Sequence, residues 1–311
     1  MNNKRVAVLF SSLAVIATVM PGVARAAEEK RIVLQPAGAW HLDMGENRCR
    51  LVREFGPDDE RSVFYLEQWS PSSSATWLVA GPPFKRHRAS REVTATFGPE
   101  GDRETFEFVP STLGDFGAAI SEASTIAFDK ETPDGANGYD PVTAIAIERP
   151  GGLPILDAAG MAQVERLTIA QNGRPDVVFE LGNMGSGAAA MNTCMTRLIQ
   201  QWGLDLEEQR SVVSAPQLRN PDTVVQRIVS YYPASAMYKG AQANFHLRVV
   251  VSATGEMESC QLLNQSLADD FDLRRLPCKA FEEKARFYPA LDARGHGVRS
   301  YYTTNIRYRS S

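Results

Sequence analysis

The sequence predicts an α+β protein in two parts. A mostly β N-terminal domain is closed by a helix, and a small C-terminal domain sets helices on one face of a three-stranded sheet. Three observations carry this. Short runs of β-forming residues, separated by Gly, Pro, Asp and Ser, fill residues 27–181. One helical run follows at about 188–202. The last 80 or so residues alternate between period 2 and period 3.6.

The N-terminus reads Lys4-Arg5, an apolar run Val6–Met20, then Ala24-Arg25-Ala26. A basic start, a short apolar run and an Ala-x-Ala ending make a secretory signal peptide over residues 1–26, with cleavage after Ala26. A membrane span needs about 20 apolar residues, and this run is shorter. The expected mature chain is exported, periplasmic and without a membrane span.

Net charge is −4 for the whole chain. Residues 27–223 carry 18 basic and 29 acidic side chains, and residues 224–311 carry 12 and 8. So small and dispersed a positive balance argues against nucleic acid. It suits either two ordinary solvated surfaces or a C-terminal domain that leans on acidic partners or on its own N-terminal neighbour.

Within residues 27–205 the strand candidates are Arg31–Leu34, Trp40–Asp43, Cys49–Phe55, Ser62–Trp69, Thr76–Ala80, Glu92–Phe97 and Thr105–Val109. Later candidates are Ala144–Glu148, Val164–Ala170 and Val177–Leu181, with Asn172-Gly173 as a hairpin turn between the last two. Residues 129–141 read as a surface loop. Gly185-Ser186-Gly187 opens the helix, whose seam is Ala190, Cys194, Leu198 and Trp202 at i+4. Gly203 ends it. Residues 206–223 are polar, contain Pro216 and Pro221, and read as a linker.

In residues 224–311, Phe245, Leu247, Val249 and Val251 share one strand face and Asn244, His246 and Arg248 the other. Thr254-Gly255 turns the chain, and Met257–Leu263 returns. Pro277 starts a helix with Cys278, Phe281 and Ala285 on its apolar face. In the last run Val298, Tyr302, Thr304, Ile306 and Tyr308 share a face. Arg299, Tyr301, Thr303, Asn305 and Arg307 share the opposite one, amphipathic enough to touch a partner.

An even cysteine count in an exported chain favours disulfides. Pairing Cys49 with Cys194 and Cys260 with Cys278 keeps each bridge inside one domain, and free buried thiols are the alternative. Cys260 shares a strand face with Leu262, and Cys278 lies on the helix that covers that sheet.

No catalytic constellation is legible. A Gly-x-Ser-x-Gly elbow, a His-Glu-x-x-His helix and a Cys-x-x-Cys pair are all missing. His41, His87, His246 and His296 stand singly. The turn Gly182–Gly187 could cradle an anion but reads first as a plain helix start. Lys85, Arg86, His87, Arg88 and Arg91 form a basic loop. No cofactor, metal or enzymatic activity is expected.

The C-terminal stretch resembles the C-terminal domain of the TonB family. The matching residues are Tyr232-Pro233-x-x-Ala236-x-x-x-Gly240, the turn at Gly255, Ala285-Arg286-Phe287-x-Pro289-Ala290, and Gly297-Val298 with Ile306-Arg307-Tyr308. Where the family has Gly and an aliphatic residue before the first strand, this chain has Gln242-Ala243-Asn244. The resemblance implies partner capture by adding an extended peptide at a sheet edge. Here that edge is Ser300–Tyr308, with Ser300, Tyr301, Thr303, Asn305 and Arg307 as the partner-binding strand. The implied partner is an envelope protein, such as an outer-membrane receptor or its periplasmic segment. Strand exchange between two copies of the domain is left open. Two other readings stand beside it: a membrane-anchored energy transducer, and an enzyme of unrecognised type in residues 27–205.

Overall fold

The computed structural model describes residues 31–88, 90–98, 103–106, 108, 111–121, 126–127, 153, 155–239, 243–266 and 277–308. The expected signal peptide, the expected loop 129–141 and the strand expected at 144–148 lie outside them.

The N-terminal region begins with β1 (Arg31–Leu34), β2 (His41–Met44), β3 (Cys49–Phe55), β4 (Ser62–Gln68) and β5 (Ser74–Ala80). Then come β6 (Val93–Phe97), β7 (Arg103–Phe106), β8 (Ser111–Leu113), β9 (Gly117–Ser121) and β10 (Ile126–Ala127). A short helix α1 (Ala158–Met161), β11 (Arg166–Ala170), β12 (Asp176–Glu180) and the long helix α2 (Gly185–Gln201) complete it. One sheet has the order β1-β12-β11-β6-β7; the other runs β2-β3-β4-β5-β9-β8, with β10 beside β5. Only β1–β12 is parallel among these pairs.

The alternation in β3 and β5 turns Leu51, Phe55, Trp77 and Val79 inward, where they meet Leu167, Ile169, Val177 and Phe179 of the other sheet. Phe55 meets Phe179 edge-on at 5.1 Å, and Trp77 meets Phe106 at 5.6 Å. The expected hairpin at Asn172-Gly173 is present as β11–β12, with Gly173 at φ 78°. The strands β8 and β9 went unread because Gly114 and Gly117 interrupt runs too short for a period.

Helix α2 closes the same core. Its buried face is Gly187, Ala188, Met191, Cys194, Met195, Leu198 and Ile199, so the expected i+4 seam is rotated and Ala190 sits only half-buried. A Cβ on Gly187 would come within 2.5 Å of Leu51 Cδ2, and one on Gly185 within 2.8 Å of the Ala158 carbonyl. Those glycines let the helix lie close on β3 and α1. The Cys49–Cys194 disulfide then ties α2 to β3.

The expected linker 206–223 is not a free connector. It folds as α3 (Leu206–Ser211), β13 (Val212–Ser214) and β14 (Gln217–Leu218), and α4 (Pro221–Val229) starts inside it. Pro221 sits in the first turn of α4, where its missing N–H is harmless. The partners of β13 and β14 come 69 to 80 residues later, beyond the reach of any local pattern.

The C-terminal part continues with α5 (Ala234–Lys239), β15 (Ala243–Val251), β16 (Met257–Ser266) and α6 (Pro277–Lys284). It ends with β17 (Phe287–Tyr288), β18 (Ala290–Asp292), β19 (Gly297–Val298) and β20 (Ser300–Tyr308). β16-β15-β20 form the expected three-stranded antiparallel sheet. Val224 and Ile228 of α4 and Ala280 and Phe281 of α6 cover one face. They pack on Phe245, Leu247, Val249, Val251, Tyr302 and Ile306. The Cys260–Cys278 disulfide joins β16 to α6. The fold is therefore α+β, as the sequence predicts.

Candidate functional site

β20 is an end strand of its sheet. Tyr308 lies opposite Ala243, Thr304 opposite Leu247 and Ser300 opposite Val251. Its other edge has no paired strand among the described residues. Backbone groups along such an edge are a ready template for another chain.

Its beginning is locked in place. Ser300 is fully buried, and its hydroxyl donates to Gln209 Oε1 at 2.7 Å. Gln209, itself buried, donates from Nε2 to the Arg299 carbonyl at 2.8 Å. Arg299 donates to Glu258 at 2.7 Å and to the Gly203 carbonyl at 2.7 Å, bracing the strand against β16 and the end of α2. Arg299 is therefore a strut here. Gln209 was hidden in the supposed linker.

The face expected to point outward lies against the N-terminal region instead. Tyr301 is 2% exposed and meets the Trp202 ring edge-on at 5.3 Å. With Val250 it packs on Ile199 and Leu204. Thr303 and Asn305 are half-buried, opposite Arg248 and His246. His246 stacks on Trp69, ring centroids 5.8 Å apart. The side chain of Arg307 lies outside the described part. Alternation tells which residues share a face; it does not tell which face meets water. The aliphatic side took the helices, and the side with tyrosine and arginine took the rest of the chain.

Arg248 is the unusual member of that seam. It is 5% exposed. Its guanidinium lies 3.9 Å from the Trp202 ring centroid, and Nη2 donates to Gln261 Oε1 and to Asn47 Oδ1, the latter at 3.4 Å. Burial pushes its pKa down to about 10, against the opposing pull of Glu46. It is still a cation at neutral pH, and no carboxylate pairs with it among the described residues. A cation held over an indole out of water gains about 2 kcal/mol.

The other sequence candidates do not converge. Asn183 Oδ1 accepts from the Gly185 N–H at 2.9 Å, so a side chain already caps the glycine turn before α2. The basic loop is held by buried Gln171, which takes the Arg88 N–H and donates to the Arg88 and Arg91 carbonyls. His296 is exposed, with Nδ1 3.5 Å from Asp292. No group of three metal-ligating side chains occurs among the described residues.

The family model for the Gram-negative bacterial TonB protein C-terminal matches residues 229–310, from the last residue of α4 to just past β20. The chain carries a TonB C-terminal domain. Neither the curated proteins nor the solved structures gave a match. The match takes in the whole β16-β15-β20 sheet, so β20 is one of the two edge strands of that sheet, with β16 at the other end. Gln209 and Trp202, which hold that strand from outside, precede the matched stretch. Among the described residues, no helix is long and apolar enough to cross a membrane.

Proposed function

We propose that this is a non-enzymatic periplasmic protein whose TonB domain binds an envelope protein by pairing an extended segment with the outer edge of β20. An outer-membrane receptor or its periplasmic segment is the partner class, and the role is linked to outer-membrane transport. One observation carries this reading: among the described residues β20 ends its sheet with an unpaired edge, while helices cover one face of that sheet and α2 and α3 the other. A partner that seeks the sheet then meets main chain, the surface that strand addition uses. An energy transducer anchored in the inner membrane needs a long stiff spacer, and residues 206–223 are folded into the protein instead.

The test places a photo-crosslinking amino acid at Asn305, with exposed Val33 on β1 as the control position. Side chains directly opposite on paired strands lie about 5 Å apart, within reach of such a probe. Cross-links to an outer-membrane protein should form from position 305 and not from position 33. Thr304→Pro should abolish them while leaving unfolding of the N-terminal region unchanged. Equal yields from the two positions, or full capture by Thr304→Pro, would refute the proposal.

A further inference from the structure

The seam between the N-terminal region and the TonB domain holds a cleft of about 590 Å³ that opens to solvent. That lies in the range of small-molecule sites, which favour boundaries between domains. Its wall includes Arg248 from β15, Arg197 and Trp202 from the α2 end, Asn47 from the β2–β3 turn, and Ser259 and Gln261 from β16. Four segments thus converge polar groups on one space, with the Trp202 ring as an apolar side.

Arg248 gives the cleft its chemistry. Among the described residues the side chain is buried, its Nη1 has no hydrogen-bond partner, and no carboxylate lies within ion-pair distance of it, Glu46 acting on it only from farther away. A buried charge without a counter-charge is costly, and a guanidinium donor left unmade adds to that cost. Both costs fall when an anion enters and accepts from Nη1. Arg197 adds a second positive charge to the wall and Glu46 one negative charge. The net of one positive charge suits a single carboxylate better than a dianionic phosphate. The planar guanidinium matches a carboxylate, and the amides and hydroxyl of Asn47, Gln261 and Ser259 suit the polar body of a small acid.

We infer that this cleft is a binding site for a small organic carboxylate, held by Arg248 and steered by Arg197. The site joins residues from both parts of the chain, so its ligand fastens the TonB domain to the N-terminal region. This is separate from partner capture at β20 and stands or falls without it.

Calorimetric titration of the full chain with acetate, glycolate and lactate tests the inference, with inorganic phosphate as the competing anion and ionic strength held constant by chloride. At least one carboxylate should bind saturably and raise the melting temperature. Arg248→Met keeps an unbranched side chain over Trp202 without the charge. It should weaken binding by about tenfold or more. Arg197 is exposed, so Arg197→Glu leaves the core alone and should weaken binding too, even if the first variant folds poorly. No saturable binding by any of the three acids, unchanged affinity in both variants, or tighter binding of phosphate than of every carboxylate would each overturn it.

Discussion

The two parts of this chain finish their cores differently. The N-terminal region packs two sheets on one another and lays α2 across them, so its apolar residues are satisfied from within. The TonB domain is built on one main sheet, and its own helices cover only one side of it. Its second side is completed by Ile199, Trp202 and Leu204, which precede the family match. The difference teaches that a family boundary drawn on sequence need not be a packing boundary. The N-terminal region and the stretch after it serve as part of the TonB domain's structure.

The staples sharpen the same contrast. Cys49 and Cys194 are 145 residues apart, Cys260 and Cys278 only 18. Removing the first pair as Cys49→Ala/Cys194→Ala should cost about 5 kcal/mol in the chain-entropy picture, and removing the second about 3. Urea unfolding monitored by circular dichroism reads both. Equal losses would mean that native contacts around each bridge outweigh loop length.

A smaller effect separates soft from hard obstacles in the two parts. A Cβ on Gly297 would stand 2.0 Å from the Ala253 carbonyl oxygen, which is backbone. A Cβ on Gly187 meets the tip of the Leu51 side chain, which can turn away. Gly297→Ala should therefore destabilise the TonB domain by about 3 kcal/mol, and Gly187→Ala the N-terminal region by about 1. Thermal unfolding of the two variants checks the order.

The smallest effect is electrostatic. The Asp292 carboxylate accepts from the Arg294 and His296 backbone N–H groups at 2.8 and 2.9 Å, and those bonds hold its pKa below the ordinary aspartate range. A lowered folded-state pKa gives a contribution present in full above the unfolded value and lost as pH falls through the folded one. Asp292→Asn should thus lower the melting temperature at neutral pH and match the parent in strong acid. Melting curves across the acid range measure this.

Much of the architecture was legible because local patterns carry it. Phe245 to Val251 announce a strand by alternation, Asn172-Gly173 a hairpin, and Pro277 a helix start. Both cysteine pairings followed from domain logic and the faces of β16 and α6. The seam was not legible. The pairing of β13 with β18, the hold of Gln209 on Ser300 and the stacking of Arg248 on Trp202 all join residues far apart in the chain. The one local hint was Arg248 itself, a cation set among Leu247, Val249 and Val250 in a strand that packs on both faces.

The order of the two disulfides has a consequence for biogenesis. Along this sequence Cys49 pairs with the next cysteine, Cys194, and Cys260 with the next after it, Cys278. An oxidant that joins thiols in the order they emerge from the ribosome or a translocation pore makes the native connectivity directly. By that route the native bridges form without reshuffling, so the connectivity itself sets no demand for an isomerase.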